Sequence, residues 1–348
     1  MPIARVVVRA WLVVSCVFVC SLTVGQAQAD DAVKVGDVRR LLRGDGREFL
    51  FRSPSAENAA TVAPLPPSAA ELLADGECCS DGDCVCRGGE PTDSTVDGEG
   101  PYDVDSYSLG FRFGRLFGGG TVYYPTDAEP PLSAVVMCPG YTATQSSIED
   151  WGPFFASHGI VLLTIDTATT LDLVPQRADQ LLDALEELKD EGSSFGSPLY
   201  DKLSDDRFGL AGWSMGGGGT WIAASDHPEL KSAVTLAGHN LTAGGGIIAA
   251  GSRVPTLMLN GAQDLTYLGG LGQSEAAYAA IPSSTPKLLY VMTYEGHFSW
   301  GTPRTNGNAS GRYVLAWEKV FLEGDERYYK FLLERGPLAS TFESNLED

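Results

Sequence analysis

Ser214 stands at the centre of Gly212-Trp213-Ser214-Met215-Gly216, between the apolar run Phe208–Ala211 and a run of small residues, Gly216–Gly219. This spacing is that of a nucleophile elbow. The serine sits on a strained strand-to-helix turn, and glycines two residues either side let strand, turn and helix pass closely. A serine hydroxyl is a weak nucleophile at neutral pH. It needs a neighbouring base, and the base needs an acid to fix its tautomer.

The chain has only four histidines, so the base follows by elimination. His158 precedes the elbow and His227 follows it closely, both at expected helix ends. His239 comes directly after the next strand, too early for the order Ser, then Asp or Glu, then His. His297, in Tyr294-Glu295-Gly296-His297-Phe298, follows the apolar run Lys287–Met292 and is the expected base. The acid must lie between Ser214 and His297. Asp264 follows the apolar run Val254–Leu259, and the carboxyl end of a strand is where catalytic groups gather in open α/β sheets. Asp226, Glu275 and Glu295 are weaker candidates. A tetrahedral intermediate needs two N–H donors. Met215, directly after the nucleophile, supplies one; the loop Pro139-Gly140-Tyr141 supplies the other through Tyr141. With neutral His297 as the working base, activity is expected to rise through the histidine range toward mildly alkaline pH.

Apolar runs alternating with amphipathic ones must position these residues. Ala134–Cys138, Ile160–Ile165, Lys231–Leu236, Val254–Leu259 and Lys287–Met292 read as strands. Ser146–Ser157, Pro175–Lys189, Ser274–Ile281 and Arg312–Leu322 read as helices. Ser106–Gly114 and Thr121–Tyr124 suggest a hairpin at one edge. Together these predict an α/β-hydrolase: a mostly parallel central sheet with helices on both faces, an antiparallel N-terminal hairpin and no large cap domain. The roughly 250 residues from Pro101 on fit one catalytic domain, 101–348.

The flanks have another character. Met1–Ala29 reads as a secretory signal: Arg5 and Arg9, an apolar stretch Ala10–Val24, then Ala27-Gln28-Ala29 before Asp30. That stretch is short for a membrane span, so no stable membrane insertion is expected. Val13-Val14-Ser15-Cys16 offers a lipoprotein reading, ranked below simple secretion. Residues 30–100, rich in Pro, Ala, Gly and Asp, suit a linker or pro-segment, with a short helix or two in Val33–Phe51. Of seven cysteines, Cys78, Cys79, Cys84 and Cys86 cluster there. In an exported chain they read as two local disulfides of open pairing. A metal site is the alternative, but the spacing matches no standard zinc pattern. Cys138 reads as a buried thiol. The net charge of −21 makes nucleic acid an improbable partner.

From about Pro101 to Arg335 the sequence resembles the bacterial polyester hydrolases, the actinobacterial cutinases and poly(ethylene terephthalate) hydrolases. The resemblance rests on Gly120-Thr-Val-Tyr-Tyr-Pro125, Pro139-Gly-Tyr-Thr-Ala-Thr-Gln-Ser-Ser147, Trp151-Gly-Pro153, Ala156-Ser-His-Gly159, Ile165-Asp-Thr167, Gly212-Trp-Ser-Met-Gly-Gly-Gly-Gly219, Val254-Pro-Thr-Leu257 and Asp325-Glu-Arg-Tyr328. It implies a secreted serine carboxylesterase, expected to be monomeric, acting on polymeric or small esters through an acyl-enzyme on Ser214. Asp264 and His297 complete the triad. Tyr141 and Met215 form the oxyanion hole and, with Trp213, His239 and Phe298, line the substrate cleft. His239 stands where the family usually carries a tryptophan that stacks on aromatic substrate, so weaker activity on aromatic polyesters is expected. The family's C-terminal disulfide is missing, with Phe342-Glu343-Ser344 in its place. Ala262 and Thr293 occupy two positions where some cutinases bind calcium, so no metal and no cofactor is expected. The alternatives are a short-chain lipase or esterase without polymer activity and a non-catalytic binding protein that kept the fold.

Overall fold

Continuous apolar strands cannot tolerate water on either face, and here each strand feeds two cores at once. The computed structural model describes residues 39–42, 48–51, 78–79, 84–241, 245–265 and 270–346. The chain divides into two units, Met1–Asn58 and Ala59–Asp348. In the first, β1 (Arg39–Leu42) pairs antiparallel with β2 (Glu48–Phe51). A helix was expected over this stretch. The Gly44-Asp45-Gly46 signal between two apolar-rich runs favours a hairpin instead. The expected signal segment lies outside the described residues, as does most of the expected linker.

The second unit holds a nine-stranded sheet. Its strands are β3 (Val104–Leu109), β4 (Gly119–Pro125), β5 (Leu132–Cys138), β6 (Val161–Asp166), β7 (Leu203–Trp213), β8 (Ser232–Leu236), β9 (Thr256–Gly261), β10 (Lys287–Met292) and β11 (Ala339–Ser344). Their order is β11-β10-β9-β8-β7-β5-β6-β4-β3. The six from β5 to β10, leaving β4 and β3 aside, run parallel. The β3–β4 hairpin closes one edge antiparallel, as expected. At the other edge β11 pairs antiparallel with β10, a strand that sequence patterning missed. Its half-exposed alternation of Ser, Thr and Glu gives it no apolar run.

Alternate residues of β5 enter opposite cores. Val135 and Met137 join α2 (Trp151–Ser157) and α7 (Ala309–Trp317) on one face. Ala134, Val136 and Cys138 join α3 (Val174–Ser193) and α4 (Met215–Asp226) on the other. Helices therefore cover both faces, and the chain has an α/β-hydrolase architecture. The shorter α5 (Gly245–Ala249) and α6 (Gly270–Ala280) connect β8, β9 and β10. The expected helix Arg312–Leu322 starts three residues earlier, at Ala309, and passes into a π-helical turn over Glu318–Leu322.

Residues N-terminal to Pro101 also pack on this body. Helix α1 (Asp93–Asp97) buries Val96 in the same core as Trp151 and Trp317. Arg87 is buried and donates to the carbonyls of Glu129 (2.8 Å) and Pro131 (2.8 Å). The Val85 amide donates to Glu323 O at 2.7 Å. Residues 84–100 are thus a strap laid on the body. Two bridges, Cys78–Cys86 and Cys79–Cys84, tie its start, so these sulfurs are spent on disulfides. Cys138 is a free, buried thiol, pushed up to about 11 chiefly by burial.

Candidate active site

The turn after β7 is the tightest point of the fold. Ser214 has φ 56° and ψ −120°, a conformation costly for any residue with a Cβ. A Cβ at Gly212 would lie 2.2 Å from Gly216 C, and one at Gly216 would lie 2.1 Å from Cys138 O. That close passage is why both positions are glycine. The surroundings hold the strain in place. Ser214 N–H donates to Leu236 O (2.9 Å), and Ser214 O accepts from His239 N–H (2.9 Å).

Three of the sequence-derived residues meet here. Ser214 Oγ lies 2.7 Å from His297 Nε2. His297 Nδ1 lies 3.0 Å from Asp264 Oδ2. Asp264 is 3% exposed, at the carboxyl end of β9, and His297 follows β10. His297 Nδ1 meets Asp264, not the other acid candidates: Asp226 lies at the far end of α4, and Glu275 is exposed on α6. A side chain at Gly270, the first residue of α6, would meet Asp264 Oδ2 at 2.4 Å.

The remaining predicted residues divide by exposure. Tyr141 and Phe298 are exposed and stand beside the serine and histidine. Met215 and Trp213 are buried. Trp213 donates its indole N–H to the carbonyl of His297 at 2.8 Å, fixing the loop that carries the base. Met215 opens α4, so its N–H belongs to the first turn, whose donors find no acceptor inside the helix. His239 is only 6% exposed. Its ring meets that of His297 edge to face at 5.8 Å, and its Nε2 is buried with no hydrogen-bond partner. Burial, then the neighbouring His297, push its pKa down, while Asp264 opposes them. As it stands the ring presents little surface for stacking.

Sequence reasoning missed Arg177. It is fully buried on α3. Its guanidinium donates to Pro139 O (2.8 Å), Asp172 O (2.9 Å) and Thr170 O (3.1 Å). It therefore pins the carbonyl directly before Gly140-Tyr141 and the neighbouring loop after β6. In sequence it is one more charge on an amphipathic helix. Only its place among Val174, Ala178 and Leu181 on the inward stripe could have betrayed it.

A buried carboxylate, an imidazole bridging it to a serine, and a strained turn exposing that serine at the strand ends define a serine hydrolase of α/β-hydrolase type. Residues 80–347 match the PET hydrolase-like family model. The chain is 39% identical over 248 residues to a bis(hydroxyethyl) terephthalate hydrolase of Streptomyces coelicolor, covering 71% of this chain and 76% of that protein. It is 38% identical over 248 residues to Cutinase 2 of Thermobifida cellulosilytica, covering 71% and 90%. Cutinase cut1 of Thermobifida fusca is 38% identical over 248 residues, at 71% and 74% coverage. The chain belongs to the PET hydrolase-like family, and it is a serine carboxylic ester hydrolase.

Proposed function

We propose that this protein is an exported esterase that cleaves the ester bonds of polyesters through an acyl-enzyme on Ser214. The observation carrying this reading is the continuous contact Ser214–His297–Asp264, at 2.7 and 3.0 Å, on a strained turn of a family member. Ser214 Oγ attacks the ester carbonyl as His297 Nε2 takes its proton. Asp264 holds the imidazole by Nδ1 and stabilises the imidazolium. The amides of Met215 and Tyr141 receive the developing oxyanion. Collapse breaks the ester C–O bond, and His297 returns the proton to the departing alcohol. Water, deprotonated by His297, then attacks the acyl carbon; the C–Oγ bond to Ser214 breaks, His297 returns the proton to Oγ, and a carboxylic acid leaves. The protein works as a monomer, and Met1–Ala29 is removed on export.

The test compares wild type with Ser214→Ala on a soluble p-nitrophenyl ester and on an aliphatic polyester film. Wild type is expected to release product from both, and the variant to lose at least about 10⁴-fold on each. Wild-type turnover of the soluble ester alone would favour a short-chain esterase, a reading supported by the buried His239. Failure of an organophosphate to label Ser214 in folded protein would overturn the catalytic assignment.

A further inference from the structure

The loop 110–118, between β3 and β4, reads Gly-Phe-Arg-Phe-Gly-Arg-Leu-Phe-Gly and carries no acid in a chain of net charge −21. It sits at the same end of the sheet as Ser214. Gly119, where β4 begins, pairs with Asp166 at the carboxyl end of β6, and Gly118 N–H donates to Asp166 O at 2.8 Å. Phe113 is 96% exposed, Phe111 78% and Leu116 50%. Exposed apolar side chains of this size normally cost solubility unless something covers them.

This loop is continuous with the active-site loops. A pocket opens between Phe111 and Phe117 on one side and Thr144, Ala168 and Thr170 on the other. The Thr170 carbonyl forming that wall accepts from Thr142 N–H at 2.7 Å, the residue after Tyr141. Tyr141, Tyr294 and Phe298 are also exposed at this end. The other exposed aromatic pair, Phe195 and Tyr200, in edge-to-face contact at 5.5 Å, lies at the opposite end of the sheet, between α3 and the start of β7 and away from the catalytic residues. Charge points the same way. Glu187 on α3 holds Arg115 and touches Arg112, but the Arg112 side chain remains 69% exposed. Hydrolysis of a polyester leaves carboxylate chain ends, so a working surface is apolar with scattered negative charge. An apolar loop with an outward arginine complements it, whereas the acidic remainder of the protein does not.

We propose that loop 110–118 is an adsorption foot that seats the enzyme, active-site end down, on a solid polyester surface. This rests on the polyester reading above and adds a contact that soluble esters never use. The test pairs the double variant Phe111→Ser/Phe113→Ser with wild type on a poly(caprolactone) film and on p-nitrophenyl butyrate. Both positions are exposed, so the fold tolerates the change. Binding to the film at limiting enzyme is expected to fall about tenfold or more, with product release falling in step. Turnover of p-nitrophenyl butyrate stays at the wild-type value. Undiminished binding by the double variant overturns the foot. So does a wild-type dimer that the variant dissociates without losing film binding, since the face then covers a second copy. Ser214→Ala separates the two readings: it should bind the film as wild type does while releasing nothing. A wild type that binds through the foot yet releases nothing from the film would sink the polyester reading and leave the foot standing.

Discussion

Two buried arginines grip the two ends of one strand, β5, and do different work. Arg87 comes from the strap and holds the carbonyls of Glu129 and Pro131, just before the strand. Arg177 comes from α3 and holds the carbonyl of Pro139, just after it. The device is the same, a planar guanidinium donating to backbone oxygens. Its consequence is set by which end of a parallel strand it holds. At the amino end the chain enters a sealed cluster, where Glu323 pairs with both Arg87 (3.4 Å) and Lys319 (2.5 Å). At the carboxyl end it enters Gly140-Tyr141, beside the nucleophile. One arginine therefore guards stability and the other geometry.

The largest expected effect is at the carboxyl end. Arg177→Met frees Pro139 and Thr170, and the Tyr141 amide loses its fixed direction. We expect kcat on a p-nitrophenyl ester to fall about 10²–10³-fold with little change in KM, the loss typical of one misplaced oxyanion donor. Arg177→Lys should recover only part of it. A folded Arg177→Met protein with wild-type kcat would dissolve the distinction between the two arginines. Arg87→Met is the counterpart. It unpins the strap and leaves Glu323 with one cation, costing about 3 kcal/mol. Denaturant titration measures that loss, while kcat in native buffer stays unchanged.

How far the sequence revealed these two regions follows the same division. The active-site end was legible because chemistry restricts it. The elbow demands glycines at fixed offsets, and chain order with four histidines leaves His297 alone. Six parallel strands were readable as apolar runs. The strap was not legible. Val96 is its single core side chain, and Arg87 meets Glu323 across 236 residues, a pairing that no local pattern encodes. Trp213 and His239 were assigned from position in the chain, but their burial comes with tertiary contacts to His297, which lies far along the chain. Position could name the wall without saying which way its residues face.

The sealed end also carries two titrating groups, which makes it pH-sensitive in both directions. His158, whose Nε2 meets Gly98 O at 3.2 Å, is pushed down to about 3 by burial and then by the Lys319 charge. Below its unfolded value the unfolded chain binds the extra proton, so stability falls as pH drops from about 6.5. Glu318, fully buried against Ser232, is pushed up to about 8 by burial and further by Glu323, with the Ser232 hydrogen bond opposing. Here the folded state holds the extra proton. Stability is complete below about 4.5, falls as pH rises toward 8 and levels beyond it. Between pH 5 and 6.5 the two slopes oppose each other, so His158→Gln should leave stability falling with pH across that window, whereas Glu318→Gln should flatten the limb between 6.5 and 8 and leave stability rising with pH below 6.5. Each removes about 2 kcal/mol of pH dependence over 1.5 pH units. Unfolding free energies at pH 5, 6.5 and 8 check this. Limbs unaltered by either change would place the titration elsewhere.

The smallest effect tests the border between the two kinds of region, at His239. Its ring touches His297, yet its burial and unpartnered Nε2 resemble a core position. If it acts through packing alone, His239→Phe keeps the edge-to-face contact and removes a buried polar atom without a partner. That should raise stability by about 1 kcal/mol, with kcat on a soluble ester within about threefold of wild type, because no proton moves through Nε2. If the imidazole nitrogen matters to the base, kcat falls further and the pH–rate profile shifts, which no packing change would produce. The same variant adds ring area without exposing it, so the ratio of aromatic to aliphatic ester turnover should not move. A rise in that ratio would show the ring turning outward to meet substrate, and would return His239 to the cleft wall.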